Sequence, residues 1–285
     1  MKEPVCLRYE PYILECRGLS LEIGKKTHIM GILNVTPDSF SDGGDHFEIE
    51  RAVAFALEMI KEGADLIDVG GESTRPGSAE VTLEEELSRV VPVIQALVAH
   101  PDINVPISVD TYKAEVARQA LEAGAHIVND VWGLQREPEI ARVAASYGAP
   151  VIAMHNQVGT EYTKDLVDSM LDYFQETIRI AEKAGIPKSQ LILDPGIGFG
   201  KTAEQNIKLM NRLTELHCLG YPILLGTSRK SMIGKILDLP PKERVEGTIT
   251  TNVLGVVQGV EIIRVHDILA HSRAIRVADA IVRGE

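Results

Sequence analysis

Cysteine is scarce in this chain, basic residues are outnumbered, and no apolar run is long. Cys6, Cys16 and Cys218 form no metal-ligand pattern, and an odd, sparse count suits a reducing cytosol better than a disulfide framework. Lys and Arg number 29 against 41 Asp and Glu, a net charge of −12. That balance argues against nucleic-acid or anionic-membrane partners, which need a broad basic face. An anionic ligand would require positive charge gathered locally. No apolar stretch approaches the ~20 residues that span a bilayer. The N-terminus lacks the basic flank and apolar stretch of a signal peptide, so a cytoplasmic protein is expected.

Several catalytic signatures are missing as well. There is no His-Glu-x-x-His zinc site and no nucleophile elbow. Pro195-Gly-Ile-Gly-Phe-Gly-Lys-Thr202 ends like a Walker A loop, but Pro195 stands at the required first glycine. It also fails the dinucleotide spacing, because Lys201 occupies the place of the final glycine. Its glycines are read as allowing close backbone approach to a ligand, with Phe199 as an apolar wall.

What is present is a repeating alternation. Short apolar runs at 29–35, 66–70, 107–110, 127–131, 151–155, 191–194, 223–227 and 262–267 predict strands buried on both faces, as in a parallel sheet. Segments 51–61, 83–99, 114–123, 139–147, 166–184, 203–216 and 245–257 carry helical periodicity, which implies βα units with right-handed crossovers. About eight such units in one chain of 285 residues fit a TIM (β/α)8 barrel better than an open sheet. No linker interrupts the chain. The expected division is an N-terminal extension, 1–27, and a barrel domain, 28–285. Alternation in Tyr12-Ile-Leu-Glu-Cys-Arg17 and Leu19-Ser-Leu-Glu-Ile23 predicts a short hairpin that closes the lower end of the barrel.

In such barrels the C-terminal strand ends meet at one mouth, where activity resides. The strand ends here supply Asn34, Glu72 to Gly77, Asp110, Asn129, Met154-His155, Asp194, Ser228 to Ser231, and Arg264 to Asp267. Two chemistries emerge. Asp110, Asn129 and Asp194 are suited to a flat heterocycle bearing N–H donors, because a carboxylate accepts two parallel hydrogen bonds and an amide both donates and accepts. Helix capping is the competing role for each aspartate. Arg75, Lys230, Arg264 and His266 form the cationic group, where a phosphorylated ligand belongs. Surface salt bridging competes with that role. Arg264 interrupts the apolar run Ile262-Ile-Arg-Val265, so its charge must be paired or face a ligand.

Taken in order, these segments, together with the loop Asn34-Val-Thr-Pro-Asp-Ser-Phe-Ser-Asp-Gly-Gly44, resemble the dihydropteroate synthase family, the folate-pathway enzymes blocked by sulfonamides. The resemblance runs from the first barrel strand to the last. It implies a pterin-binding TIM barrel that joins 6-hydroxymethyl-7,8-dihydropterin pyrophosphate to 4-aminobenzoate, releasing pyrophosphate and 7,8-dihydropteroate. Carried over by motif, Asp110, Asn129, Asp194 and Lys230 would hold the pterin, with Met154, Phe199 and Gly226 around it. Asn34 would help bind Mg2+, while Arg264 and His266 would take the pyrophosphate. Thr74, Arg75 and Pro76 would belong to a loop that closes over the site with residues 38–44. Phe199, Lys230 and Ser231 would flank 4-aminobenzoate. The family suggests a homodimer; apolar faces on 245–257 and 268–282 suit either pairing two barrels or covering their own sheet. Two alternatives stay open. One is the related pterin-binding domain of corrinoid methyltransferases, which has no pyrophosphate to expel. The other is a non-catalytic pterin sensor.

Overall fold

The computed structural model describes residues 10–36, 45–72 and 80–284. Thr74, Arg75, Pro76 and the 38–44 loop lie outside those residues.

Two antiparallel strands open the described chain, β1 (Tyr12–Cys16) and β2 (Leu19–Ile23). Eight parallel strands follow: β3 (His28–Asn34), β4 (Leu66–Gly70), β5 (Ile107–Asp110), β6 (Ile127–Asp130), β7 (Val151–Met154), β8 (Leu191–Asp194), β9 (Leu224–Leu225) and β10 (Ile262–Val265). Their order is β8-β7-β6-β5-β4-β3-β10-β9. A bridge between Leu193 and Ile223, with Leu193 N–H donating to Pro222 O at 3.0 Å, joins the two ends into a barrel. The helices between them are α1 (Asp45–Glu62), α2 (Leu83–Ala99), α3 (Ala114–Glu122), α4 (Glu139–Tyr147), α5 (Leu166–Ala184), α6 (Ala203–Met210), α7 (Ser231–Leu237) and α8 (Val245–Val257), with α9 (Ile268–Val282) last.

The continuous apolar runs are explained by burial on both faces. Outward-facing strand residues such as Leu33, Val69, Val109 and Ile263 pack under the helices. Inward ones such as Met30, Leu66, Ile127, Ile152 and Ile192 fill the lower barrel together with Leu14, Cys16, Leu21 and Ile23 of the hairpin. The hairpin therefore plugs the bottom, as its alternation predicts. Chemistry is left to the other end.

Three local expectations are corrected. The 203–216 helix stops at Met210, and Leu213–Leu219 forms a 3-10 turn instead. Leu209, Leu213 and Leu216 are all buried, so one apolar spacing served a helix and then a tighter turn. The strand expected over 223–227 keeps only Leu224–Leu225 in the ladder, because Thr227 Oγ1 turns to Asn252 Oδ1 at 2.9 Å. Finally, α7 was not expected. Its interior Gly234 weakens the helical pattern, yet a Cβ there would lie 2.1 Å from the Arg244 guanidinium.

Candidate active site

Strand register places the polar ends side by side. Asn34 pairs with Gly70, Gly70 with Asp110, and Asp110 with Asn129. On the neighbouring arc Met154 pairs with Asp194. Gly70 leaves a gap in this row: a Cβ there would sit 3.6 Å from Asp110 Oδ2 and 3.9 Å from Asn34 Oδ1. Arg264 pairs with Met30, which precedes Asn34 on β3. Its long side chain meets the acids from within the barrel.

Arg264 Nε donates to Asp68 Oδ2 at 2.6 Å, and Nη2 donates to Asp110 Oδ2 at 2.7 Å. Asn129 Nδ2 donates to the same Asp68 oxygen at 3.0 Å. The sequence reading separated an acidic group from a cationic one; the structure interleaves them. A guanidinium whose strand position is enclosed by apolar neighbours must find carboxylates nearby, and Asp68 and Asp110 are on adjacent strands. Burial works against the charge of Arg264, but Asp68 and Asp110 outweigh it and hold its pKa above the usual value. Burial pushes the Asp110 carboxyl up, and Arg264 opposes that rise. Asp110 Oδ1 is buried and accepts no hydrogen bond, although such oxygens are normally satisfied.

Asp194 is 5% exposed, and its Oδ1 accepts from Gly196 N–H at 2.7 Å. Asp194 thus caps no helix, since Thr202 is the N-cap of α6; it holds the turn after β8 and uses one oxygen for that. The other faces Gly226, where a Cβ would be 3.9 Å away. Burial pushes this carboxyl up to about 6, with Gly196 N–H, Lys230 and Arg264 pulling the other way. The carboxylate is lost as pH falls through that value. We expect kcat/KM to fall about tenfold per pH unit below about 7, where Asp110 takes its proton, and more steeply below about 6, where Asp194 follows; a slope that does not steepen below about 6 would remove Asp194 from the pterin site.

Phe199 and Lys230 meet beside it, with Lys230 Nζ 4.1 Å from the ring centroid. Lys230 crosses Gly198 so closely that a Cβ there would lie 3.0 Å from its Cδ. Met154 clusters with Tyr112 and Val131, and Trp132 and Phe199 pack against that cluster. On the far side of Lys230, Ser228 Oγ lies 2.9 Å from His266 Nδ1. Arg229, at φ 60°, is held by two hydrogen bonds to Asp267. Arg244 Nη1 donates to the carbonyls of Arg229 and Lys230 at 3.0 and 3.3 Å, which fixes the loop that presents Lys230. Ser231 is exposed at the first position of α7 and joins the cluster only through its place next to Lys230.

The structure therefore assembles Asn34, Asp110, Asn129, Met154, Asp194, Phe199, Gly226, Lys230, Arg264 and His266 at one end. Sequence reasoning missed Asp68, Tyr112 and Trp132. Asp68 carried a readable signal, a charge within the apolar run Leu66–Gly70. The two aromatics carried none, since they lie just past strand ends among ordinary loop residues. The glycines of 195–202 are also corrected: Gly196 and Gly200 approach protein backbone. A Cβ on them would meet His155 O at 2.0 Å and Gln157 O at 2.8 Å.

A barrel whose mouth gathers Asp110, Asn129 and Asp194 beside Lys230 and Arg264 is an enzyme of the TIM-barrel class, and residues 30–266 match the pterin binding enzyme family. The chain is 56% identical over 262 residues to the dihydropteroate synthase of Clostridium beijerinckii, covering 92% of this chain and 96% of that one. A crystal structure of the Clostridium difficile dihydropteroate synthase in the presence of pteroic acid superposes with TM-score 0.89 at 55% identity, covering 92% of this chain and 98% of that one. The Xanthomonas albilineans enzyme in complex with 7,8-dihydropteroate gives TM-score 0.86 at 42% identity, covering 95% and 98%. This chain belongs to the dihydropteroate synthase family.

Proposed function

We infer that the chain condenses 6-hydroxymethyl-7,8-dihydropterin pyrophosphate with 4-aminobenzoate to give 7,8-dihydropteroate and pyrophosphate. The observation that carries the residue assignment is the buried, unpartnered Asp110 Oδ1 in the same row as Asn129 and near Asp194. A 2-aminopyrimidinone edge supplies the N–H donors that these acceptors lack, and a site left unpaired by a wrong ligand rejects it. Met154 and Phe199 give the ring its apolar walls. Arg264 and His266 take the pyrophosphate, and Lys230 lies between the ring and the amine. Thr74 serves the pterin pyrophosphate, and Arg75, Pro76 and Ser231 serve the amine side.

The amine is neutral and needs no strong base before it attacks. The hard event is cleavage of the bond between the pterin methylene carbon and the diphosphate oxygen, which keeps the electron pair. Arg264 and His266 stabilise that developing charge. Asp110 and Asp194 favour the electron-poor ring left behind, and closure of the mouth keeps water from the cation. The amine nitrogen then bonds to the methylene and releases a proton.

Mg2+ fits this mouth as a partner of the substrate. Asn34 offers a single amide oxygen next to the gap at Gly70, and among the described residues no group of three His, Cys, Asp or Glu could hold a metal. Diphosphate oxygens and water would complete the shell, as is usual for this ion. When bound, it supplies further positive charge at the leaving group.

No described helix is long and apolar enough to cross a membrane, and the reading includes a cytoplasmic homodimer. Leu254 and Val257 on α8, with Val277 and Ile281 on α9, are half or more exposed, and these two helices pack against each other.

The test is stoichiometry: pyrophosphate and 7,8-dihydropteroate should appear one to one, and only with both substrates present. Methyl transfer to a cobalamin protein, or tight pterin binding without turnover, would replace this reading with one of its rivals.

A further inference from the structure

Lys201 ends the glycine-rich segment, but its ammonium turns into the protein wall behind Asp194. The residue is 7% exposed. Its Nζ lies 3.0 Å from Gly196 O, 3.0 Å from Phe199 O and 2.9 Å from His155 Nδ1. An ammonium has three N–H donors, and here it meets three acceptors. His155 is packed against Tyr162, Tyr173 and Phe174. Burial and the Lys201 charge keep its imidazole neutral, and with its one proton on Nε2 the ring accepts from Lys201 at Nδ1.

The same short turn holds two groups of the pterin pocket. Gly196 N–H donates to Asp194, and the Phe199 ring carries Lys230. Its far side is tied down separately, by Gly198 N–H donating to Asn206 Oδ1 at 2.9 Å. Gly196 has φ 64° and no room for a Cβ against His155 O, so the turn lies flat on the chain that follows β7. Lys201 ties Gly196 and Phe199 there, while the Tyr162 hydroxyl and the Gln157 amide donate to Gly200 O at 2.8 and 3.5 Å.

We propose that Lys201 is a positioning residue for the pterin pocket: by tying Gly196 and Phe199 to His155, it fixes the Asp194 carboxylate and the Phe199 ring relative to one another. The inference deepens the functional reading above and rests on it. The charged or titratable groups facing Lys201 are Asp194 from β8, Lys230 from the loop before α7, and His155 after β7. Burial pulls the ammonium down to about 7, with Asp194 opposing and Lys230 adding to the effect. A neutral amine keeps two donors for three acceptors. The tie therefore weakens as pH rises through about 7.

The experiment is calorimetric titration of Lys201→Met and Lys201→Gln with 6-hydroxymethylpterin and, separately, with inorganic pyrophosphate. Methionine should weaken pterin binding about tenfold or more and leave pyrophosphate binding unchanged. Glutamine keeps two N–H donors and should fall between methionine and lysine. The wild-type loss of pterin affinity above about pH 7 should vanish in Lys201→Met, which a purely structural role would not produce. If the methionine variant does not fold, the glutamine variant and the wild-type pH profile carry the test. Pterin and pyrophosphate affinities falling together, or a pterin affinity unmoved by either substitution, would overturn the inference. A wild-type protein that makes no dihydropteroate would instead overturn the functional reading itself.

Discussion

Arg264→Ala is expected to cost activity and stability together, and a second substitution separates the two losses. The guanidinium bridges Asp68, which is fully buried, and Asp110. Removing it strands two carboxylates away from water, at a cost of about 3–5 kcal/mol. The leaving diphosphate also loses a fixed donor, worth roughly 100-fold or more in kcat/KM. In Arg264→Ala/Asp68→Asn one stranded charge is gone, so much of the stability returns. The activity does not. Melting curves and initial rates on the same preparations decide it. Turnover that recovers along with the melting temperature would mean Arg264 serves the fold alone.

The second large effect is expected from Asp194→Asn. The amide oxygen of asparagine can still accept from Gly196 N–H, so the turn survives. Its NH2, however, then points at the place where a ring N–H should be accepted. Donor faces donor, and pterin affinity should drop by roughly 100-fold, while pyrophosphate measured alone binds nearly as before. The step near pH 6 that burial gives this carboxyl should disappear with it, leaving the fall through about 7 that belongs to Asp110. Equal losses for both ligands would contradict the assignment of Asp194 to the ring.

Much of this arrangement was legible in the chain. The strands announce themselves because a barrel strand is buried on both faces, leaving apolar runs that end abruptly in Asn34, Asp110, Asn129 or Asp194. The hairpin was legible for the opposite reason: one face of it is wet, so its residues alternate. Arg264 was marked by an apolar run that it breaks. Its partners were not, because Asp68 and Asp110 are far away in sequence and adjacent only through strand register. The role of Gly196 was misread for the same reason. A glycine reports that something comes close, but not whether that neighbour is a ligand or the carbonyl of His155. Lys201 gave no sign of its place either: its segment fails the phosphate-loop pattern at Pro195, and sequence does not show that the side chain turns inward.

The central claim is that Asp110, Asn129 and Asp194 read the pterin while Arg264 and His266 hold the diphosphate, at one barrel mouth. A crystal structure of this protein with 7,8-dihydropteroate and pyrophosphate bound tests it most directly. The account predicts the 2-amino edge within hydrogen-bonding distance of those three side chains and the diphosphate against Arg264 and His266. A pterin seated elsewhere, such as the surface crevice lined by Tyr162, Lys164, Gln205 and Arg212, would contradict it.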